Sequence, residues 1–200
     1  MKKQNIYLVG FMGTGKSTIG KELARLLGRK FLDMDLVIER RLGMTVSEIF
    51  EKRGQEFFRE EEKKLAFELV QAGNQVISTG GGTIANEDIK AAFKRSGLLI
   101  CLFAEKNNLI SRLQRTDKRP LLKGESIEKR VETLLEERKE LYDKIPFRVN
   151  TTNLSPKEAA VKIVNLLKIL KTKLDQIHDQ YIIISGEEDS PHESSGNKRS

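Results

Sequence analysis

The chain has no tryptophan, one cysteine and four prolines among its 200 residues, and aromatic residues make up only 6% of it. Each scarcity excludes something. A single Cys101 cannot form an internal disulfide, so the chain is not a disulfide-stapled scaffold and fits a reducing, cytoplasmic compartment. Cys101 also sits in an apolar strand pattern, where a thiol is a small hydrophobe rather than a nucleophile. No apolar run approaches the roughly 20 residues needed to span a bilayer. The basic start Met1-Lys2-Lys3 leads into an apolar stretch too short for a signal segment and broken at Gly10, so no membrane partner is expected. The three tyrosines are scattered, and no basic block is interleaved with aromatics, so nucleic acid is not expected as a partner either.

Charge is not scarce. Charged residues make up 32% of the chain and hydrophobic ones 38%, the balance of a soluble globular protein of one domain. The net charge is +7. Residues 172–200 hold three basic and six acidic residues, a net of −3, which leaves +10 on the body. Such a body attracts anions, and a small polyanion such as a nucleotide accounts for it.

The strongest local signal lies near the start. Ile6-Tyr7-Leu8-Val9 is apolar and β-favouring, and Gly10-Phe11-Met12-Gly13-Thr14-Gly15-Lys16-Ser17 follows it, matching G-x-x-x-x-G-K-[ST]. The glycines let the backbone curl so that successive N–H groups point at one anion. Lys16 adds a mobile positive charge, and the Ser17 hydroxyl is a ligand for Mg²⁺. A helix is predicted from about Lys16 to Gly28, with its N-terminal N–H groups facing the same phosphates.

Further along, Lys30 to Asp33 reads as a second strand ending in Asp33-Met34-Asp35. Residues two apart in a strand share a face, so both carboxylates are expected at one strand end, as a Mg²⁺ and hydroxyl-handling pair or as a helix cap and a turn carboxylate. Thr45 to Glu48 is a capping box, Gly54 breaks the helix it opens, and Glu56 to Val70 is a second helical run. Arg59 stands in that run among Glu56, Glu60, Glu61 and Glu62, either as part of a solvated charge run or as a guanidinium presented to an anion. A strand at Gln75 to Thr79 leads into Gly80-Gly81-Gly82, where the backbone must approach something closely or take positive φ. Leu98 to Phe103 reads as a strand covered on both faces.

A helix is predicted over Glu105 to Thr116, then a basic loop with Arg119, Pro120 and Gly124, read as a solvated loop or as a mobile flap over phosphates. Ser126 caps a helix to about Tyr142, in which Arg138 lies on an apolar stripe, a place that calls for an anionic partner. A last strand spans Arg148 to Thr151. Ser155-Pro156-Lys157-Glu158 opens a final helix to about Lys173. Residues 174–200 are read as a disordered extension, apart from the β-prone Tyr181 to Ile184.

Strand, phosphate loop and helix, followed by alternating strands and helices, imply an α/β domain with a parallel sheet. The absence of an Asn-Lys-x-Asp guanine signature and the short basic flap point to a small-molecule phosphotransferase. The motifs together closely resemble the shikimate kinase family, from about Ile6 to Leu170. They are Gly10 to Thr18, Asp33-x-Asp35, Phe58-Arg59 with Glu62, Gly80-Gly81-Gly82, Arg119-Pro120-Leu121-Leu122, and Glu137-Arg138 with Tyr142.

The resemblance implies a three-layer P-loop NTPase fold of the nucleoside-monophosphate kinase type. Its five-stranded parallel sheet has the order 2-3-1-4-5, with helices on both faces. A kinase domain over 1–173 is expected to hold substrate-binding helices at about 34–60 and a lid at about 112–124. The implied reaction phosphorylates the 3-hydroxyl of shikimate with ATP and Mg²⁺, on the route to chorismate and aromatic amino acids. The nucleotide is assigned to Gly13, Thr14, Gly15, Lys16, Ser17 and Thr18, with Arg112 near the adenine and Arg119 on the lid. Mg²⁺ is assigned to Ser17 and Asp33. Shikimate is assigned to Asp35, Arg59, Gly81 and Arg138, and catalysis to Lys16, Asp35 and Arg119. The family also implies a monomer. Kinases of other polyol acids, such as gluconate, and an ATP-hydrolysing switch are the rival readings.

Overall fold

The computed structural model of the chain describes residues 4–114 and 126–185, with residues 174–185 as backbone only. Strand β1 (Asn5–Gly10) lies at the centre of the sheet, and all six of its residues are buried. An unbroken apolar strand needs cover on both faces, which an all-parallel sheet between helices provides. Strand β3 (Gln75–Ser78) pairs with one edge of β1, Ile6 opposite Val76. Strand β4 (Gly97–Phe103) pairs with the other, Val9 opposite Cys101. Strands β2 (Lys30–Asp33) and β5 (Arg148–Asn150) complete a parallel sheet of order 2-3-1-4-5, as expected.

Among the described residues seven α-helices connect the strands or follow the last of them: α1 (Lys16–Leu27), α2 (Met34–Leu42), α3 (Val46–Gln71), α4 (Glu87–Ser96), α5 (Lys106–Gln114), α6 (Ile127–Asp143) and α7 (Pro156–Ser185). Their ends follow local chemistry. Thr45 and Glu48 cap each other reciprocally at the start of α3, and Ser155 and Glu158 do the same for α7. Asn86 and Ser126 accept from Ile89 N–H and Lys129 N–H at the starts of α4 and α6. Gly54, at φ 84°, interrupts α3 where the break was predicted.

The core is continuous around β1. The Tyr7 ring stacks on Phe93 with centroids 3.9 Å apart, and its hydroxyl lies 2.7 Å from Ser96 Oγ. Burying each such large apolar side chain contributes about 2–3 kcal/mol. Asn5 Nδ2 donates to Leu69 O and Ala72 O, which ties the end of α3 to the start of β1. Cys101 is fully buried in β4, and burial pushes its thiol up to about 11, in keeping with a core residue. Where β1 turns into the phosphate loop, Gly10 has φ 135°, and a Cβ there would lie 2.1 Å from Leu102 O. Only glycine lets β1 lie so close to β4 at this point.

Two expectations are corrected. Asp33 and Asp35 do not share a strand face, because Asp33 is both the last residue of β2 and the N-cap of α2, so Asp35 lies in the first helical turn. The carboxylate of Asp33 accepts from Leu36 N–H at 3.4 Å, and that bond caps the start of the helix. At the other end of the chain, the last helix does not stop near Lys173. Its backbone stays helical to Ser185, through Tyr181 to Ile184. No glycine or proline interrupts the sequence between Pro156 and Gly186, and extending a formed helix is far easier than starting one. A first compact unit ends at Val164, and the continuation of α7 from Asn165 belongs to a second.

Candidate active site

Five segments toward the carboxyl ends of the strands build the site: the loop after β1, the β2–α2 junction, the part of α3 that carries Arg59, the glycine turn after β3, and the facing side of α6. Ligands of parallel sheets collect at this end.

The phosphate loop is held in a curl. Gly13 and Gly15 have φ of 80° and 92°, and Gly15 is the N-cap of α1. Thr14 is fully buried, and its hydroxyl donates to Phe11 O at 2.8 Å. The Lys16 ammonium, on a residue 8% exposed, donates to Gly10 O at 2.8 Å and Phe11 O at 3.0 Å, across the mouth of the loop. Ser17 and Thr18 follow in the first turn of α1.

Ser17 Oγ donates to Asp33 Oδ2 at 2.5 Å, so the two expected metal ligands are adjacent. Among the described residues no group of three histidine, cysteine or acidic side chains could hold a metal. A hydroxyl and one carboxylate are a hard, sparse donor set. It fits Mg²⁺, which keeps several waters and takes phosphate oxygens, better than it fits a metal needing an all-protein cage.

The rest of the site is organised by the glycine turn. None of Gly80, Gly81 and Gly82 has positive φ, so close approach is what requires glycine there. A Cβ on Gly82 would lie 2.7 Å from Arg59 Nη2, and one on Gly81 would lie 3.2 Å from Arg138 Nη1. A Cβ on Gly80 would meet Glu62 Oε1 at 2.6 Å and Asp35 Oδ1 at 3.0 Å. Arg59, Arg138 and Asp35, from three different helices, thus converge on three consecutive residues.

Each arginine is positioned by partners. Arg59 Nη1 donates to Glu62 Oε2 at 2.5 Å, and Thr83 Oγ1 donates to Glu62 Oε1 at 2.5 Å. Arg138 Nη1 donates to Gly81 O at 3.0 Å, and Tyr142 Oη donates to the same oxygen at 2.5 Å. Burial pushes the Tyr142 phenol up to about 12, so it stays a donor at any ordinary pH. Arg138 also lies over the Phe11 ring at 5.9 Å. Among the described residues Arg138 makes no ion pair. A half-buried guanidinium without a carboxylate partner is suited to receive one from a ligand.

Of the expected nucleotide residues, Arg112 is found on α5 with its guanidinium bonded to Gly13 O, Thr151 O and Thr152 O. Arg119 lies outside the described residues, as does the rest of the expected lid from residue 115 to 124. Sequence reasoning missed the roles of Thr83 and Thr151. Thr83 directly follows the triple glycine and opens a short 3-10 turn, Thr83–Ala85, a position that could have flagged it. Thr151 carries no such signal.

Comparison with known proteins bears on what this geometry serves. A family model described as shikimate kinase matches residues 12–168. A shikimate kinase from Thermodesulfovibrio yellowstonii is 43% identical over 161 residues, covering 80% of this chain and 93% of that protein. One from Caldanaerobacter subterraneus is 38% identical over 168 residues, covering 84% and 98%. A solved structure of the shikimate kinase from Acinetobacter baumannii in complex with shikimate superposes with a TM-score of 0.80 at 39% identity, over 86% of this chain and 96% of that one. A gluconokinase from Sinorhizobium meliloti, at 14% identity and a TM-score of 0.53, shares the fold alone.

Proposed function

The chain belongs to the shikimate kinase family, and from that premise we infer that it transfers the γ-phosphoryl group of ATP to the 3-hydroxyl of shikimate, releasing ADP and shikimate 3-phosphate. This is a step toward chorismate and the aromatic amino acids. The observation that carries the reading is the convergence of Arg59 and Arg138 on Gly81 and Gly82, with Asp35 beside Gly80. Two guanidiniums grip one carboxylate bidentately, and a carboxylate beside them takes ring hydroxyls. Shikimate carries both kinds of group.

Phosphoryl transfer needs positioning and neutralisation of charge more than covalent chemistry. Gly13 to Thr18 cradle the phosphates with backbone N–H groups and the start of α1. Lys16, now on the loop carbonyls, moves its ammonium to the β- and γ-phosphates. Ser17 and Asp33 hold Mg²⁺ with the nucleotide. When bound, that ion spreads the charge that builds on the phosphate oxygens. Arg59, Arg138 and the Gly81 backbone fix the acceptor ring. Asp35 accepts a hydrogen bond from the attacking hydroxyl, so that the oxygen lone pair faces the γ-phosphorus. Arg119 on the lid and Arg112 near the adenine complete the nucleotide site.

The same reading assigns residues 1–173 to the kinase domain and 174–200 to a dispensable extension. It describes a cytoplasmic monomer acting on small molecules, without nucleic acid or membrane. Among the described residues no helix is long and apolar enough to cross a bilayer.

ADP release from purified protein with Mg-ATP, with and without shikimate, tests the reading, with quinate and gluconate as controls. A large stimulation by shikimate alone is expected. ATP hydrolysis indifferent to shikimate would support a nucleotide switch instead, and stimulation by gluconate a different acceptor.

A further inference from the structure

Thr151 follows the last residue of β5 and is 1% exposed. Its hydroxyl lies 3.0 Å from Thr14 O, in the phosphate loop 137 residues away, and 3.2 Å from Phe103 O. A hydroxyl has one proton to give. Thr14 O is the nearer of the two acceptors, and Phe103 O already takes the Thr151 N–H at 2.8 Å, so we place the proton on the bond to Thr14 O. The preceding loop carbonyl, Gly13 O, accepts from Arg112 Nη1 at 3.2 Å. Arg112 Nη2 in turn donates to Thr151 O at 2.8 Å and Thr152 O at 3.1 Å. Two successive carbonyls of the phosphate loop are therefore tied to one short segment after β5.

A trans peptide is planar, with its C=O and N–H pointing in opposite directions. The direction of the Thr14 carbonyl therefore sets that of the Gly15 N–H. Local sterics do little to fix that plane. Glycine takes either sign of φ with ease, and glycines at positive φ stand on both sides of Thr14. The constraint that the glycines omit comes from across the sheet.

We propose that Thr151 is a positioning residue of the phosphate loop, its hydroxyl fixing the Thr14–Gly15 peptide so that the Gly15 N–H faces the nucleotide's phosphates. The proposal rests on the nucleotide half of the reading above and not on the identity of the acceptor. A loop already holding its N–H groups inward loses less freedom when the phosphates arrive. The acceptor site is built on α2, the start of α3's second half, the glycine turn and α6. It shares no hydrogen bond with Thr151 among those described, so shikimate affinity is expected to be independent of it.

The test compares Thr151→Val, Thr151→Ser and the parent by calorimetric titration with ADP and, separately, with shikimate. Thr151→Val is expected to bind ADP about tenfold more weakly, equivalent to about 1.4 kcal/mol, with shikimate affinity within about twofold of the parent. Thr151→Ser keeps the hydroxyl and is expected to bind ADP like the parent. In turnover, the valine variant is expected to raise KM for ATP with little change in kcat. Parent-like ADP binding by Thr151→Val overturns the proposal. So does Thr151→Ser binding as weakly as the valine variant, or a parallel fall in ADP and shikimate affinity. Should the valine variant not fold, Thr151→Cys retains a weak donor of similar size. It is expected to bind ADP several-fold more weakly with shikimate unaffected, and parent-like ADP binding again overturns the proposal. A parent that binds ADP but not shikimate refutes the acceptor assignment and leaves the ADP comparison to decide Thr151.

Discussion

Arg59 and Glu62 face each other across one turn of α3 at 2.5 Å, the carboxylate 1% exposed and the guanidinium side chain 30%. The exposed half of the pair faces the site, and the buried half aims it. Thr83 occupies the other oxygen of Glu62, so the carboxylate has little freedom to turn. Glu62→Gln removes the charge that holds Arg59 while keeping the volume. It is expected to raise KM for shikimate about tenfold, the cost of loosening one charge-assisted hydrogen bond. KM for ATP should stay within about twofold. Steady-state kinetics with each substrate varied in turn checks the split.

Asp35 lies beside Gly80 of the glycine turn. Asp35→Asn keeps the shape and loses the basic oxygen. A fall in kcat of about 10²–10⁴-fold is expected, the range for a positioned acid or base. ADP affinity should be nearly unchanged. Full activity in this variant would rule out the role assigned to Asp35.

Two glycines with positive φ should respond very differently to a methyl group. Gly43 ends α2 at φ 63° with nothing within 4 Å of a Cβ, so Gly43→Ala is expected to cost about 1 kcal/mol of conformational strain. Gly10 adds a collision with Leu102 O at 2.1 Å, between two central backbones that cannot separate without breaking the β1–β4 ladder. Gly10→Ala should cost more than about 4 kcal/mol or prevent folding. Urea unfolding of the two variants measures the contrast.

Alkaline pH should expose the buried phenol of Tyr142. Its pKa rises from an ordinary 10.0 to about 12, chiefly through burial. The folded protein therefore holds that proton more tightly than the unfolded chain. The stability it contributes is complete below pH 10 and is lost as pH climbs from 10 to about 12. By about pH 11.5 the loss amounts to about 2 kcal/mol. Tyr142→Phe starts less stable, lacking the bond to Gly81 O, but is spared this loss. The stability gap between parent and variant should narrow between about pH 9 and pH 11.5 in denaturant titrations. A gap that stays constant would mean that the phenol is not held as buried.

Much of this protein is written locally in its chain. The phosphate loop, the capping boxes at Thr45 and Ser155, the break at Gly54 and the apolar strands each depend on residues within a few positions of one another. Such features are legible because short-range geometry decides them. The site residues were also legible as candidates, but composition and spacing made Arg59 more readable as part of a solvated charge run than as a guanidinium presented to an anion. The strand-face reading of Asp33 and Asp35 failed because a cap bond to Leu36 N–H overrides strand alternation at the residue where β2 ends. The end of the final helix was misjudged for a related reason: β-prone side chains at 181–184 do not halt a helix that nothing interrupts.

The sequence by itself determined that a strand, an anion-binding loop and a helix N-terminus follow one another, and that the rest alternates into a parallel α/β sheet. Only the tertiary structure decided which partners meet across long separations. It brought Arg59 and Arg138 onto adjacent glycines, set Thr83 behind Glu62, and carried the Thr151 hydroxyl to the back of the phosphate loop. Those contacts join residues 21, 57 and 137 positions apart. No local propensity encodes them, because they exist only once the sheet order has placed β1, β3, β4 and β5 side by side.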